Sequence, residues 1–423
     1  MTRNAGADLA GAELIDPGLY AESGYPHETW SRLRREAPVY YFEGPDYPFW
    51  ALTRHEDIVE VSRRPRLFSN RPRFQIVVGA DYASEDEREP ETMIHMDPPQ
   101  HRQFRELLAR RFTPRGMRAI ESEVSDLARE IIDDLAQEAI EGECDFVEKV
   151  SAPLPLAVVA WMLSLPRSDW GLLSDWANAV VGATDPQYQR PDETAHETRL
   201  RASAELYAYF GELTDDRRGG DGEDLVSVLT RAEIDGAPLT PHQLTSYCLF
   251  IVVGGTETTR NALSGGMQGF FENPDQWRML AEDPSAVTRA TEEVLRWSTP
   301  VVQMARTPVE DVEIGGQKIR AGETLALFYA SGNRDERVFE DPFRFDISRH
   351  PNPHLALGVG EHYCMGANLA RLELRVMLRE LVGRFDEIAP AGSVERLRSS
   401  SVGGIKSMPI RYRIDPEAEA RRC

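Results

Sequence analysis

The chain has 423 residues, with 70 Asp and Glu against 48 Lys and Arg, and its formal net charge is -22. Such an acidic balance argues against a nucleic-acid-binding surface, which needs clustered positive charge. Four widely separated cysteines and the lack of any run of about 18 apolar residues predict a protein without a disulfide framework or membrane span, working in the reducing cytoplasm.

Helical periodicity dominates the chain, and strand signals are short. The predicted helical ranges are 100–140, 154–181, 241–272 and 368–384, and the predicted strands are 39–42, 49–53 and a hairpin over 312–319. This pattern predicts a mainly α protein with a small β-rich region. We expect a single domain over 1–423, with flexible ends at 1–15 and 416–423. Polar residues at 81–92 and 184–198 predict loops that act either as lids or as solvated connectors.

The predicted helix over 241–272 contains Gly254, Gly255, Glu257 and Thr258 directly after an apolar run. Each glycine costs about 1 kcal/mol relative to alanine inside a helix. Threonine hydroxyls also compete for backbone carbonyls, so the segment predicts a kinked or widened turn and a functional groove. Close packing against a neighbouring helix is an alternative explanation for the glycines.

Cys364 lies between Gly360 and Gly366, and an amphipathic helix follows directly. A thiol at a helix start faces exposed N–H groups and the positive end of the helix dipole, which predicts a lowered pKa and a thiolate ready to bind a metal. The glycines let the backbone approach a flat, bulky ligand. A buried structural cysteine is the alternative.

The two motifs resemble those of the cytochrome P-450 (heme-thiolate monooxygenase) family. Its signature, Phe-x-x-Gly-x-Arg/His-x-Cys-x-Gly, is matched by Gly360, His362, Cys364 and Gly366, but Leu357 replaces the usual aromatic residue. The family pattern Ala/Gly-Gly-x-Asp/Glu-Thr is matched at 254–258. The resemblance spans about 16–414 and implies the cytochrome P-450 fold, with heme b between the long central helix and the cysteine loop.

The resemblance also implies residue roles. Cys364 is the expected proximal iron ligand, and Glu257 with Thr258 is the expected catalytic proton relay. The expected heme-binding residues are His101, Arg105, Gly254, Gly255, Arg306, Leu357, Gly358, His362, Cys364 and Gly366. The expected substrate contacts are Phe74, Ile76, Val253, Val301, Val302 and Met304. An expected structural trio consists of Glu293, Arg296 and Arg344.

The chain is similar to bacterial hydroxylases that oxidise terminal carbons of steroid side chains and branched lipids. This implies a monooxygenase that uses O2, a small lipophilic steroid, terpenoid or branched-lipid substrate, and electrons from a ferredoxin and its ferredoxin reductase. A basic cluster is a candidate ferredoxin-docking surface or an ordinary solvated face, and it consists of Arg110, Arg111, Arg115 and Arg118.

Three alternatives remain at this stage. The protein could be a peroxide-dependent heme hydroxylase, or a non-catalytic heme protein that senses gas or binds a lipid. A zinc site is the third alternative, and its ligands would be His350, His354, His362 and Cys364.

Overall fold

A computed structural model describes residues 10–44, 48–78 and 92–415. Helices predominate, as the sequence predicts. The α-helices of these residues are α1 Pro17–Ser23, α2 His27–Glu36, α3 His55–Ser62, α4 Gln100–Ala109, α5 Pro114–Glu138, α6 Pro153–Met162, α7 Trp170–Val181, α8 Ala195–Asp216, α9 Leu225–Thr230, α10 Pro241–Glu272, α11 Pro274–Glu282, α12 Val287–Ser298, α13 Tyr329–Gly332 and α14 Ala367–Arg384. None of the helices in the described ranges has the length and apolarity that crossing a membrane requires.

Two predicted helical ranges each divide into two helices. The range 100–140 contains α4 and α5, which are separated by the 3-10 turn Arg110–Phe112 and by Thr113. The Thr113 hydroxyl accepts the Gly116 N–H, and Pro114, which has no N–H, takes the first helical position. The range 154–181 divides into α6 and α7 in the same way, around Pro166 and a 3-10 turn.

Helix α10 forms the centre of the molecule. Thr240 and Gln243 make a capping box at its start, and Pro241 is its first residue. Most of its length is buried, and it packs against α6, α7, α8, α12 and α14. The widened turn predicted at 254–258 is wrong, because α10 is a continuous α-helix from Pro241 to Glu272.

The strands form one larger sheet and several small ones. They are β1 Val39–Phe42, β2 Phe49–Leu52, β3 Phe68–Ser69, β4 Glu141–Asp145, β5 Glu233–Ile234, β6 Ala237–Pro238, β7 Gln303–Pro308, β8 Val312–Ile314, β9 Gln317–Ile319, β10 Leu325–Phe328, β11 Phe385–Pro390, β12 Glu395–Arg396, β13 Ile405–Ser407 and β14 Pro409–Ile414. The larger sheet has the order β1-β2-β10-β7-β3, and a second sheet has the order β11-β14-β4. The predicted hairpin is confirmed as β8 and β9, with Gly315 and Gly316 at φ +54° and +78° in its turn.

The amino-terminal part of the described chain is packed, in contrast to its predicted flexibility. Ala10, Leu14 and Ile15 are buried in the same apolar cluster as Phe49 and Phe328 of the larger sheet. These side chains cover one face of the sheet. Residues 1–9, 416–423 and 81–91, which were also predicted to be flexible or loop segments, lie outside the described residues.

A buried ion pair on α12 organises the segment that leads to the cysteine loop. Glu293 and Arg296 lie one helical turn apart, both side chains are fully buried, and their N and O atoms are 2.7 Å apart. Arg296 also donates to the backbone carbonyls of Asn333, Pro342 and Arg344, at 2.8 to 3.1 Å. These bonds pair the N–H groups of the buried guanidinium with protein acceptors, and a buried ion pair requires such partners.

The prediction that Arg344 is the third member of this structural trio is wrong. Arg344 contributes its backbone carbonyl, while its side chain is exposed. The second guanidinium on Glu293 comes from Arg349, whose side chain is 9% exposed and lies 3.3 Å from the carboxylate. Arg349 also donates to the carbonyls of Glu340 and Asp341. The Arg349 N–H donates to the Asp346 carbonyl at 3.1 Å, so the chain makes a turn between the two arginines.

We predict that Arg349→Ala lowers the free energy of unfolding by about 2 kcal/mol, because it removes charge-assisted bonds to Glu293 and to backbone carbonyls. Arg344→Ala is the matched control and should change it by less than about 0.5 kcal/mol, since that side chain is exposed. Urea unfolding followed by far-ultraviolet circular dichroism measures both variants. Equal losses in the two variants would show that Arg349 is not the inward partner.

Candidate functional site

Cys364 is held by a tight loop that ends at α14. Its N–H donates to the carbonyl of Leu357 at 2.8 Å, and its carbonyl accepts the Ala367 N–H at 3.3 Å. Gly360 has φ +81°, and a Cβ atom there would overlap the carbonyl oxygen of Ser62. The loop therefore needs glycine at this position for both conformation and space.

The predicted low pKa of Cys364 is wrong for the protein without a metal. Burial raises the pKa of the thiol, and the N–H of Gly366 with the nearby charges of Arg105 and Arg371 lowers it to a smaller extent. Desolvation therefore outweighs the helix start. A metal that binds the sulfur would itself displace the proton.

The Cys364 side chain faces a cavity of about 550 Å³. Four of the predicted substrate contacts line this cavity with apolar surface, and they are Phe74, Val253, Val301 and Met304. Ile76 and Val302 do not line it. Both are buried at 2% exposure or less in the cluster that includes Phe328 of the larger sheet. Neighbouring residues of extended chain point to opposite sides, which explains why Val301 faces the cavity and Val302 does not.

On α10, Gly254, Gly255 and Thr258 line the cavity opposite the cysteine loop. A Cβ atom at Gly254 would meet nothing within 4 Å, whereas one at Gly255 would lie 2.7 Å from Val159 of α6. Gly254 therefore keeps the cavity surface flat, while Gly255 permits close helix packing. The Thr258 hydroxyl donates to the Gly254 carbonyl at 2.8 Å, four residues back.

Glu257 lies behind this surface and does not line the cavity. The residue is 3% exposed, and its carboxylate forms an ion pair with Arg260 on the same helix. Arg260 in turn donates to Asn178 of α7 at 2.7 Å. Burial raises the pKa of Glu257, and the Arg260 charge opposes this effect. The acid and the alcohol predicted to act together are therefore adjacent in sequence but face different surroundings.

Four positively charged or imidazole side chains meet at another part of the cavity. His101 and Arg105 come from one face of α4, Arg306 from β7, and His362 from the cysteine loop. The two imidazole rings lie 4.0 Å apart, and Asn70 is 3.3 Å from His362 Nδ1. The structure thus brings together all four residues that the sequence predicts.

The charges of this cluster are only partly balanced. Burial lowers the pKa of Arg306, and burial with the charges of Arg306, His101 and Arg105 lowers the pKa of His362 to about 2. His101 Nδ1 is buried without a hydrogen bond to the described residues, and it lies 3.7 Å from a carboxylate oxygen of Glu361. A ligand with carboxylates here would supply the missing acceptors. The two propionates of heme, with Cys364 on the iron and Gly254 leaving room for the ring, fit these residues.

Two polar groups on the cavity wall were not predicted from the sequence. Glu373 of α14 is 1% exposed, its Oε2 has no hydrogen bond to any described residue, and burial raises its pKa well above the usual value. His196 of α8 lines the cavity, and both of its ring nitrogens are buried without a partner among the described residues. Glu373 has a sequence signal, since it lies among the apolar positions of α14, whereas a single histidine near a helix start has none.

The zinc alternative has no support in the described ranges, where no three His, Cys, Asp or Glu side chains are arranged to hold a metal. His354 Nε2 lies 3.1 Å from Glu292, and His350 is exposed. Glu292 also pairs with Arg371 of α14 at 2.7 Å. His354 therefore belongs to an ion-pair network that connects α12 to both sides of the cysteine loop.

Comparison with known proteins identifies similar chains. The family model described as Cytochrome P450 matches residues 212–413. The steroid C26-monooxygenase of Mycobacterium tuberculosis strain H37Rv is 36% identical over 417 residues, which cover 95% of this chain and 93% of that protein. The methyl-branched lipid omega-hydroxylase of Mycobacterium tuberculosis strain CDC 1551 is 35% identical, and the match covers 96% and 95% of the two chains.

Solved structures agree with these relatives. The cytochrome P450 CYP268A2 of Mycobacterium marinum, in complex with pseudoionone, superimposes with a TM-score of 0.88 at 33% identity, covering 96% of this chain and 99% of that chain. CYP109E1 of Bacillus megaterium, in complex with corticosterone, gives a TM-score of 0.77 at 30% identity, covering 91% and 98%.

Proposed function

We propose that this chain, which belongs to the cytochrome P450 family, hydroxylates a terminal carbon of a steroid side chain or a methyl-branched lipid. It is a monooxygenase with heme b as cofactor. One observation carries the proposal: the cavity between Cys364 and Thr258 has mostly apolar walls. A lipophilic substrate that moves from water into such a cavity buries its apolar surface, and this burial supplies binding energy. The names of the two relatives supply the substrate class.

We assign the heme to the wall formed by the cysteine loop and the four-residue cluster. Cys364 would ligate the iron, and His101, Arg105, Arg306 and His362 would hold the propionates. When bound, the heme activates O2 for insertion of one oxygen atom into a C–H bond. Leu357 lines the same cavity as Cys364, at the sequence position where the family has an aromatic ring.

The overall reaction consumes the substrate C–H, O2, two electrons and two protons, and yields the alcohol and water. In our proposal Thr258 delivers the protons, because its hydroxyl lies on the cavity wall. Glu257 is the proposed proton source behind it. Since Arg260 binds the Glu257 carboxylate, the acid has to turn away from Arg260 to reach Thr258 or a water next to it.

We further propose that electrons come from a ferredoxin, supplied by its reductase in the cytoplasm. The basic cluster supports this partner, because Arg110, Arg115 and Arg118 are exposed on an otherwise acidic chain. It also lies next to the cysteine side of the fold, since Asn368 of α14 donates to the Phe112 carbonyl at 2.9 Å. An acidic ferredoxin docked there would be close to the thiolate loop.

The direct test is turnover by the purified holoenzyme. With a ferredoxin, its reductase, a reduced nicotinamide and O2, we expect a methyl-branched lipid or steroid to gain one oxygen atom at a chain end. Cys364→Ala should abolish both this product and the carbon monoxide difference band of thiolate-ligated heme. Product formed with hydrogen peroxide but not with O2 and ferredoxin would support the peroxide-dependent alternative. A normal band without any product would support a non-catalytic heme protein.

The proton relay predicts that Thr258→Ala lowers the yield of oxygenated product per O2 consumed by about tenfold and releases the balance as hydrogen peroxide. Thr256→Ala is the matched control. Its hydroxyl makes the same kind of bond, to the Val252 carbonyl at 2.9 Å, but it does not line the cavity. The measurement quantifies O2 consumed, hydrogen peroxide released and oxygenated product formed. An equal loss of product per O2 in both variants would point to helix distortion instead of a proton relay.

The docking surface predicts that Arg111→Glu with Arg115→Glu slows ferredoxin-supported reduction about tenfold at low ionic strength, with a smaller effect in salt. The control is Arg278→Glu with Arg289→Glu, which makes the same charge change at exposed positions of α11 and α12. Stopped-flow reduction measures the rate. If the Arg111 and Arg115 variant is reduced at the wild-type rate, this surface is not the docking site.

A further inference from the structure

Helix α8 presents a polar face to the cavity. Its buried face repeats nearly every fourth residue, at Thr198, Ala202, Leu206, Phe210 and Thr214. An adjacent face follows the same spacing along the cavity wall, at His196, Arg199, Ser203 and Tyr207. Residues three and four apart lie on one side of a helix, so these four polar residues form one continuous stripe, which we call the α8 polar face.

Two members of the α8 polar face have unused hydrogen-bonding groups. Both ring nitrogens of His196 are buried and have no hydrogen-bond partner in the part of the chain that the structure describes. Ser203 is 8% exposed, and its hydroxyl has no hydrogen bond among the described residues. Tyr207 is different, because its hydroxyl lies 3.1 Å from Ser246 Oγ of α10 and is held in place. Buried polar groups are nearly always satisfied, so the two ring nitrogens of His196 on this cavity wall indicate a polar ligand, and the Ser203 hydroxyl lies on the same wall.

The charge of the surrounding wall favours an anion. Arg199 adds a positive charge to the α8 polar face, and Arg71 and Arg73 line the same cavity. Among the described lining residues the one carboxyl group is Glu373, which is on α14. The heme propionates would use a different set of residues, from α4, β7 and the cysteine loop.

We propose that the α8 polar face binds the carboxylate head group of a lipid substrate. This inference rests on the proposed function and narrows its substrate class. It specifies a lipid acid as the substrate in place of a neutral steroid ketone or ester. His196 Nε2–H or Nδ1–H and the Ser203 hydroxyl donate to the carboxylate, and Arg199 supplies charge. With its head on α8, the hydrocarbon chain extends along the apolar wall toward Cys364. The carbon that reacts is then the one farthest from the head.

The test compares a methyl-branched long-chain fatty acid with its methyl ester, which has the same chain without the charge. Isothermal titration calorimetry with the holoenzyme measures both affinities without depending on turnover. We expect the wild-type protein to bind the acid about tenfold more tightly than the ester, as hydrogen bonds to a charged group imply. His196→Phe, which keeps a ring of similar shape, should remove most of this preference while the ester affinity stays the same.

Ser203→Ala should lower the affinity for the acid about threefold, since a hydroxyl makes one bond. It also guards against a folding defect in His196→Phe, and circular dichroism checks both variants. Glu212→Gln is the matched control on the exposed side of α8 and should leave the acid-to-ester ratio unchanged.

The outcomes separate this inference from the proposed function. Equal wild-type affinity for acid and ester would overturn the head-group site while leaving a lipid substrate in place. A preference for the acid that survives both His196→Phe and Ser203→Ala would also overturn it, because other residues would then bind the carboxylate. If the acid, the ester and a neutral steroid ketone all fail to bind, the proposed substrate class is itself wrong.

Discussion

The site depends on the buried pair of Glu293 and Arg296, because this pair fixes the irregular chain that leads to Cys364. Neither side chain is exposed, so every bond they make has to come from protein groups. The carboxylate also accepts the Asp346 N–H and the Asn352 amide, while the guanidinium binds three carbonyls of the 333–344 segment. Asn333 then accepts the Leu355 N–H at 2.6 Å, directly before the cysteine loop. Through these contacts, α12 fixes the position of the cysteine loop.

The neighbouring residue on α12, Glu292, extends the same constraint to the other side of the loop. It binds His354 before Cys364 and Arg371 after it, at 3.1 and 2.7 Å. Two consecutive carboxylates on one helix therefore hold both ends of a loop that has little regular structure of its own. A loop built in this way keeps the thiol in one position, which a metal ligand needs.

The cavity has three regions with different chemistry. The α4, β7 and cysteine-loop cluster is positive and incompletely paired, the α10 wall offers a flat glycine and a hydroxyl, and α8 offers unsatisfied polar groups. In our proposal an elongated guest with a polar end and a flat cofactor with two carboxylates bind together, because their polar groups have different partners. The acidic exterior plays no part in this selection, which takes place on buried surfaces.

The sequence by itself determined the features that depend on near neighbours. The capping box at Thr240 and the proline after it specify where α10 begins, the glycine pair specifies the β8–β9 hairpin, and the spacing around Cys364 identifies the family motif. The four residues of the positive cluster were also found, although only because they match one family pattern. These signals are local because caps, turns and motifs involve residues within a few positions of one another.

Tertiary structure alone decided which side each residue faces and in which direction burial shifts the pKa of a side chain. It selected Arg349 over Arg344, placed Val301 on the cavity and Val302 in the sheet core, and raised the pKa of Cys364 although a helix starts beside it. Within the described ranges it also left Glu373 Oε2 and both ring nitrogens of His196 without hydrogen-bond partners. Desolvation and side-chain direction depend on the elements packed around a residue, and those elements come from distant parts of the chain.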